Sequence, residues 1–357
     1  MPEMGWMILR VLVGVGGLLI VLGTLISAVK TFVLPRGVNV WLTRSIFHGV
    51  GIFFRLRAKK ATSYAARDRV MALFAPLTLV LMPAVMLTLV LVGYMGLFWA
   101  VDMAPVTAVF KLSGSSLLTL GYESGGTILH KILEFSEAMI GLILVALLIA
   151  YLPTIYSAFS RRETAVALLE AYAGTPPSAQ EMILRVSRIG ELAHLRDVWT
   201  LWQVWFAEIE ESHTSLAPLS FFRSPQPDRS WITACGVVLD TAALALSTLD
   251  LPYDPHAAIC IRNGYIALRR IADFFGIAYN PKPAATDFIS ISRVEYEALF
   301  DLLAANGIPL KADREQAWQD FAGWRVNYDT VLLQLAGLTM APYAMWVSDR
   351  SPLPHTM

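Results

Sequence analysis

Three long runs without a charged side chain constrain this chain more than any other feature of its sequence. The runs cover residues 11–29, 70–101 and 138–160, which are 19, 32 and 23 residues long. About 20 apolar residues in a helix cross the hydrocarbon core of a bilayer, so each run is long enough to span it. Three such runs in one half of a chain argue against the buried core helices of a large soluble protein. The sequence therefore predicts an all-α membrane protein with three transmembrane helices.

Positive charge collects on one side of these runs, although the net charge of the chain is zero. Between the first two runs, one acidic residue, Asp68, stands among nine basic ones. These are Lys30, Arg36, Arg44, Arg55, Arg57, Lys59, Lys60, Arg67 and Arg69. Arg161 and Arg162 follow the third run at once. Because basic residues are enriched in cytoplasmic loops, we expect both stretches inside the cell, with the N-terminus and residues 102–137 outside.

This topology predicts four segments along the chain. They are an N-terminal transmembrane helix (1–30), a basic cytoplasmic or interfacial segment (31–69), a membrane domain with the other two spans (70–162) and a helical cytoplasmic domain (163–357). The first run lacks the basic leader of a cleavable signal peptide. We therefore expect it to remain as a span, in a multi-pass protein of the plasma membrane.

Residues 38–53 leave two interpretations open. They carry apolar side chains at roughly helical spacing, together with Arg44 and His48. This pattern favours an amphipathic helix that lies on the inner membrane surface. A fourth span is the alternative, but it would break the parity of charge across the membrane.

Residues 163–357 carry the signals of a helical domain. Ser178 with Glu181, and Ser292 with Glu295, match the capping box that starts a helix. A proline-rich loop at 216–228 separates the helical blocks. Residues 231–249 are apolar enough to imitate a span, but Asp240 stands in their middle. This favours a buried core helix.

The same region contains no pattern that predicts catalysis. We find no G-x-G-x-x-G motif of a nucleotide-binding module, and Cys235 and Cys260 lack metal-binding spacing and are expected to be reduced thiols. Scattered histidines and regularly spaced tryptophans are expected to be surface or core groups, not ligands: His194, His213, His256, Trp199, Trp202 and Trp205. We therefore expect no enzyme, no cofactor and no nucleic-acid partner.

The segment between the second and third runs is the most informative part of the chain. Pro105 suits the first turn of a helix, and the residues up to Leu117 are enough for a helix of about 18 Å, half the membrane. Asp102 is placed to cap this helix. Such a re-entrant helix is tolerated only where protein or a water-filled cavity surrounds it. The pentapeptide Thr-Leu-Gly-Tyr-Glu follows at 119–123.

A span, a short helix, this pentapeptide and a further span, in that order, resemble the potassium channel superfamily, whose filter is like Thr-Val-Gly-Tyr-Gly. The resemblance covers about residues 70–165. It implies that main-chain oxygens, with the Thr119 hydroxyl, replace the water around a dehydrated potassium ion or another monovalent cation. The implied filter residues are Thr119, Leu120, Gly121, Tyr122 and Glu123. Because one chain supplies one loop and the family builds its filter from four, the resemblance implies a homotetramer in the lipid bilayer.

The third run extends the resemblance. The inner helix of the family carries a glycine hinge and sometimes a later proline kink, and Gly141 and Pro153 occur here in that order. They are the implied gating hinge. A second filter-like stretch, Val-Gly-Tyr-Met-Gly at 92–96, lies inside an unbroken apolar run, so we do not interpret it as a pore loop.

Glu123 departs from the family pattern, which usually has a glycine there. A side chain in the left-handed conformation costs roughly 1–2 kcal/mol, so we expect the outer filter to differ in shape. Two roles of the Glu123 side chain stay equally open. Four Glu123 side chains around one axis would concentrate cations, or each Glu123 turns away from the axis and pairs with a neighbour such as Lys131. Glu134 and Glu137 are expected either to support the pore loop or to be solvated among the headgroups.

These patterns together predict passive cation conduction, with potassium as the expected ion. Two alternatives stay open, a weakly selective cation channel and a non-conducting, membrane-anchored helical sensor or scaffold with a degenerate pore loop. A membrane-embedded enzyme is a third hypothesis, which the lack of a polar cluster within the runs disfavours.

Overall fold

The computed structural model describes residues 2–34, 40–58, 60 and 64–350, and these residues form an all-α protein. One isolated antiparallel bridge joins Leu249 and Leu310, and the described residues form no sheet. The predicted all-α class is confirmed. Contacts divide the chain into two compact units. The first contains Met1–Lys60 and Leu73–Tyr156, and the second contains Ala61–Ala72 and Ser157–Met357.

Three helices are long and apolar enough to cross a membrane, in the three places that the uncharged runs predict. These candidate spans are Glu3–Phe32, Ala66–Asp102 and Ile128–Ala173. In full, the helices up to the end of the third candidate span are α1 (Pro2–Phe32), α2 (Trp41–Ala58), α3 (Tyr64–Ala72), α4 (Phe74–Asp102), α5 (Val106–Leu117) and α6 (Ile128–Ala173).

In the first unit, α1 packs along α4 through glycines. Gly17 lies against the backbone at Gly93, and Gly96 lies against the backbone at Val13. Small residues allow helices to approach closely in lipid, where burial from water cannot drive packing. The helical structure of 92–96 confirms that this stretch is not a pore loop, since its two glycines are helix-packing positions.

The helix α2 covers most of the ambiguous segment 38–53, of which residues 38 and 39 lie outside the described part. One face carries Gly51 and Phe54 and packs against Phe74 of α4. Other large apolar side chains of α2 are exposed, among them Trp41, with 78% of its surface accessible, and Phe53. Among the described helices, α2 is not one of the three with the hydropathy of a span. These features agree with an interfacial helix.

The second unit contains α3 and a set of shorter helices from the C-terminal half. These are α7 (Ala179–Ile189), α8 (Leu195–Ser215), α9 (Trp231–Ser247), α10 (Pro255–Phe275), α11 (Arg293–Ala305), α12 (Arg314–Arg325) and α13 (Asp329–Leu338). Within this unit, Asp68 of α3 pairs with Arg223 at 3.3 Å. The unit therefore includes part of the basic segment that the sequence places at 31–69, and its C-terminal portion begins at Ser157.

The helix α9 lies at the centre of the second unit, and nearly all of its residues are buried. Asp240, in its middle, accepts hydrogen bonds from Arg325 Nη1 at 2.5 Å and from the Tyr328 hydroxyl at 2.9 Å. Burying a carboxylate is costly unless it is paired and hydrogen-bonded. The partners of Asp240 thus explain how a span-like sequence forms the core helix that was predicted.

Several further predictions for this region are confirmed. Trp199, Trp202 and Trp205 are all buried core residues. Cys235 and Cys260 are free, and burial raises the pKa of both thiols above its usual range. Ser292 and Glu295 form the complete capping box that was predicted. The box predicted at Ser178 and Glu181 forms only in part: the Ser178 hydroxyl accepts from the Glu181 amide, but the Glu181 carboxylate pairs with Arg185 instead.

His213 is the histidine whose position the sequence does not explain. It is fully buried beside Arg162, whose guanidinium also donates to the carbonyl oxygens of Leu219 and Phe222 at 2.8 and 2.9 Å. Because a guanidinium only donates, His213 Nε2, 3.4 Å from Arg162 Nη1, is the acceptor. Burial and the adjacent positive charge hold the pKa of His213 well below its usual range.

Candidate functional site

The helix α5 lies between the second and third candidate spans and begins directly after Pro105. It has 12 residues, so its bounds agree with the helix expected from Pro105 to Leu117. It packs against α4, and its buried face includes Val109, Ser113 and Leu117. Val106 and Phe110 are more than half exposed on another face.

Asp102 does not cap α5, so that prediction is wrong. Asp102 is the last residue of α4, and Met103 then turns the chain with a φ of 54° before α5 begins. The carboxylate instead lies 2.9 Å from Nε2 of His130. The other ring nitrogen of His130 lies 2.7 Å from the Thr127 hydroxyl, and the ring stacks on Phe98.

His130 is a residue that sequence reasoning missed. It is 3% exposed and joins the end of α4 to the start of α6. One signal was present, because buried polar groups need partners and His130 and Asp102 flank the same short segment. Their pairing needs the folded positions of two helices, which composition and spacing do not contain.

The end of α5 is closed by a Schellman motif. The Leu120 amide donates to the Ser115 carbonyl at 2.8 Å, and the Thr119 amide donates to the Ser116 carbonyl at 3.0 Å. Thr119 occupies the left-handed position of this motif, with a φ of 54°. A β-branched residue is rare there, so the first residue of the implied filter is held in a strained conformation by the end of the helix.

Residues 119–123 are all exposed in the single chain. Leu120 and Tyr122 have 59% and 61% of their surfaces accessible, although both are large and apolar or aromatic. Gly121 has a φ of 73° with open space around it, which is a backbone conformation that favours glycine. At Glu123, the main chain is held by Ser115, whose hydroxyl accepts from the Glu123 amide at 3.1 Å.

Lys131 pairs with Glu134 at 3.2 Å and not with Glu123, so the pair considered from the sequence does not form. Glu134 also accepts from the Gly125 amide at 2.6 Å and from the Ser124 hydroxyl at 3.3 Å. It therefore supports the loop that leads out of residues 119–123, which was one of the two roles expected of it. The Glu123 side chain is left exposed.

The helix α6 passes without interruption through Gly141 and Pro153, the two residues implied as a gating hinge. At Gly141 the structure offers a reason for glycine. A Cβ atom there would lie 2.4 Å from the Leu117 carbonyl oxygen at the end of α5. Gly141 is thus a point where the backbone of α6 lies close to the end of α5, one turn after Glu137.

Glu137 is fully buried, and its Oε1 atom lies 2.5 Å from the hydroxyl of Ser113 on α5. Solvation among lipid headgroups, one of the two roles expected for this residue, does not fit that burial. The burial of Glu137 agrees instead with the other expected role, which is support of the segment next to α5. In chemical terms, the segment offers a helix held in place, an exposed turn and main-chain oxygens. In the part of the chain that the structure describes, no group of three or more histidine, cysteine, aspartate or glutamate residues could hold a metal ion.

Comparison with known proteins adds no relative. The chain matches no family model, no curated protein and no solved structure.

Proposed function

We propose that the chain is one subunit of a homotetrameric channel that conducts cations passively, with potassium as the expected ion. In this proposal α5 is a re-entrant pore helix, and the main-chain oxygens of residues 119–123 stand in for the hydration shell of the ion. The N-terminus lies outside the plasma membrane and residues from 163 onward lie in the cytoplasm. Gly141 and Pro153 take part in gating. The proposed channel needs no cofactor and catalyses no chemical reaction.

One observation carries the proposal. A 12-residue helix and an irregular turn of exposed residues lie between two helices that can span a bilayer. Exposed, irregular main chain is not tolerated against lipid, and it is stable at membrane depth only where protein or a water-filled cavity covers it. Further copies of the chain around an axis would cover Leu120 and Tyr122 and leave a polar path between them.

The side chain of Glu123 bears on which ions pass. Four exposed carboxylates at the mouth of a pore would raise the local concentration of cations. They would do so for potassium and sodium alike, so the proposal predicts cation over anion selectivity from this residue. Potassium over sodium selectivity depends on the main-chain oxygens together with the Thr119 hydroxyl.

Flux from proteoliposomes loaded with potassium, sodium or choline tests the proposal. We expect potassium to leave the vesicles rapidly and choline to be retained. Equal potassium efflux from vesicles with and without the protein contradicts conduction. Comparable rates for sodium and potassium would instead support the weakly selective channel.

A non-conducting anchored scaffold is the second candidate, and the Schellman motif at Thr119 favours it. That motif uses 119–120 to end a helix, which is an ordinary role for a turn. The two functions differ in assembly, because the scaffold has no need of four copies. A monomer or dimer in detergent, measured by light scattering, together with no ion flux, would favour the scaffold.

A further inference from the structure

The carboxyl group of Glu137 lies in the interior of the first unit, where three helices meet. Glu137 and Ser113 are each 0% exposed. The Ser113 hydroxyl lies 2.5 Å from Glu137 Oε1 on α6 and 3.1 Å from the Leu91 carbonyl oxygen on α4. A single hydroxyl group on α5 therefore contacts oxygen atoms of both neighbouring helices.

The count of hydrogen atoms favours one protonation state of this group. A serine hydroxyl has one proton to donate, and a main-chain carbonyl oxygen can only accept. If Glu137 were a carboxylate it could also only accept, and the single proton of Ser113 would have to be shared between both contacts. If Glu137 is protonated, it donates to Ser113 and Ser113 donates to Leu91, so both contacts are hydrogen bonds.

The electrostatic surroundings agree with a neutral acid. Among the described residues, no cation contacts the Glu137 carboxyl, and its Oε2 atom is buried with no hydrogen-bond partner. A charge buried without a partner is costly, whereas an unpaired oxygen of a neutral acid is much less so. The titratable neighbours on the packed elements are the phenol of Tyr94 on α4 and, on α6 itself, Glu134, which is paired with Lys131.

We propose that Glu137 is a neutral carboxylic acid and a positioning residue, whose proton joins α6 to α5 and, through Ser113, to α4. The relay lies one helical turn before Gly141, where the α6 backbone meets Leu117 at the end of α5. The relay holds the middle of α5 at Ser113, and the missing side chain of Gly141 leaves room for the end of α5 at Leu117. The protonation state does not depend on conduction. The effect on ion flux rests on the proposed function.

Infrared difference spectroscopy of the full chain in lipid tests the protonation state directly. The native protein minus Glu137→Gln is expected to show the C=O stretching band of a protonated carboxylic acid, with its shift in heavy water, between about pH 6 and pH 8. The same difference taken with Glu134→Gln, the matched control one turn away, should lack this band. Carboxylate bands in the Glu137→Gln difference, with no acid band, would overturn the proposal.

Stability and flux give a second reading of the relay. The amide of Glu137→Gln can donate to Ser113 as the acid does, so this variant should keep the native melting temperature and ion flux. Glu137→Ala leaves Ser113 without its donor, so this variant should have a lower melting temperature and a reduced ion flux. A melting temperature as low for Glu137→Gln as for Glu137→Ala contradicts the relay. An acid band in a native protein that conducts nothing supports this proposal and contradicts only the proposed function.

Discussion

A Cβ atom on Gly17 would lie 2.4 Å from the carbonyl oxygen of Gly93, because the backbones of α1 and α4 touch at these two glycines. The relationship is mutual, since a Cβ atom on Gly93 would lie 2.9 Å from the Gly17 carbonyl oxygen. The first two candidate spans are thus joined at a point that tolerates no side chain.

Gly17→Ala is expected to destabilise the packing of α1 on α4 by about 1–3 kcal/mol, since the added methyl meets a main-chain atom that cannot move alone. Gly23→Ala is the matched control, because nothing lies within 4 Å of its Cβ position. In a helix interior that change stabilises by up to about 1 kcal/mol. Thermal unfolding in detergent should therefore shift in opposite directions for the two variants. A shift of equal size and sign would contradict the close contact.

Acid is expected to destabilise the second unit through His213. Its pKa is depressed in the folded state, so the unfolded chain binds a proton that the folded chain does not. Stability is full above the ordinary pKa of about 6.5 and falls by up to about 1.4 kcal/mol per pH unit below it. His213→Gln should remove this part of the pH dependence, and His194→Gln, at an exposed position, should keep it. Melting temperatures of the full chain across this pH range measure both, and identical profiles for the two variants would exclude His213 as the cause.

Arg325→Met is expected to cost about 3–5 kcal/mol, because it leaves the carboxylates of Asp240 and Asp329 buried without their cation. Arg325 is fully buried and lies 2.7 Å from Asp329 through Nε. Arg314→Met removes an arginine whose partners include the exposed Asp301, and such surface pairs are worth less than about 1 kcal/mol. Denaturant unfolding followed by tryptophan fluorescence distinguishes the two. Similar losses would mean that the buried network contributes no more than a surface pair.

Gly141→Ala tests whether this glycine is a contact or a hinge. A contact predicts a lower melting temperature, by an amount that corresponds to about 1–3 kcal/mol, since the methyl group would displace the end of α5. A residue that serves only as a hinge would accept alanine in an unbroken helix without loss of stability. Pro153→Ala is the comparison, because it changes the flexibility of α6 without adding a group next to α5. A native melting temperature for Gly141→Ala would contradict the contact.

The elements that the sequence predicts well are those with a local physical cause. Uncharged runs mark the three candidate spans because their length and apolar content match the thickness of a bilayer. Pro105 marks the start of α5 because its missing amide is not needed there. Ser292 and Glu295 form their capping box because both partners lie within one turn.

The relationships that the sequence predicts poorly are contacts between residues that lie far apart in the chain. Asp102 was expected to cap the next helix, but His130 competes for its carboxylate from the start of α6. Gly141 is typical of a hinge in sequence, whereas the carbonyl of Leu117 gives it a packing role. The partner of Ser113 on α6, like that of Asp240 on α12, depends on helix positions that no spacing rule supplies.

Potassium flux from proteoliposomes that contain Gly121→Ala, set against Gly126→Ala, tests the central claim most directly. Gly121 has a left-handed backbone and Gly126 does not, and both have open space at the Cβ position in the single chain. If the main-chain oxygens of residues 119–123 coordinate the ion, Gly121→Ala should abolish potassium flux while Gly126→Ala conducts as the native protein does. Native flux through Gly121→Ala would contradict the account.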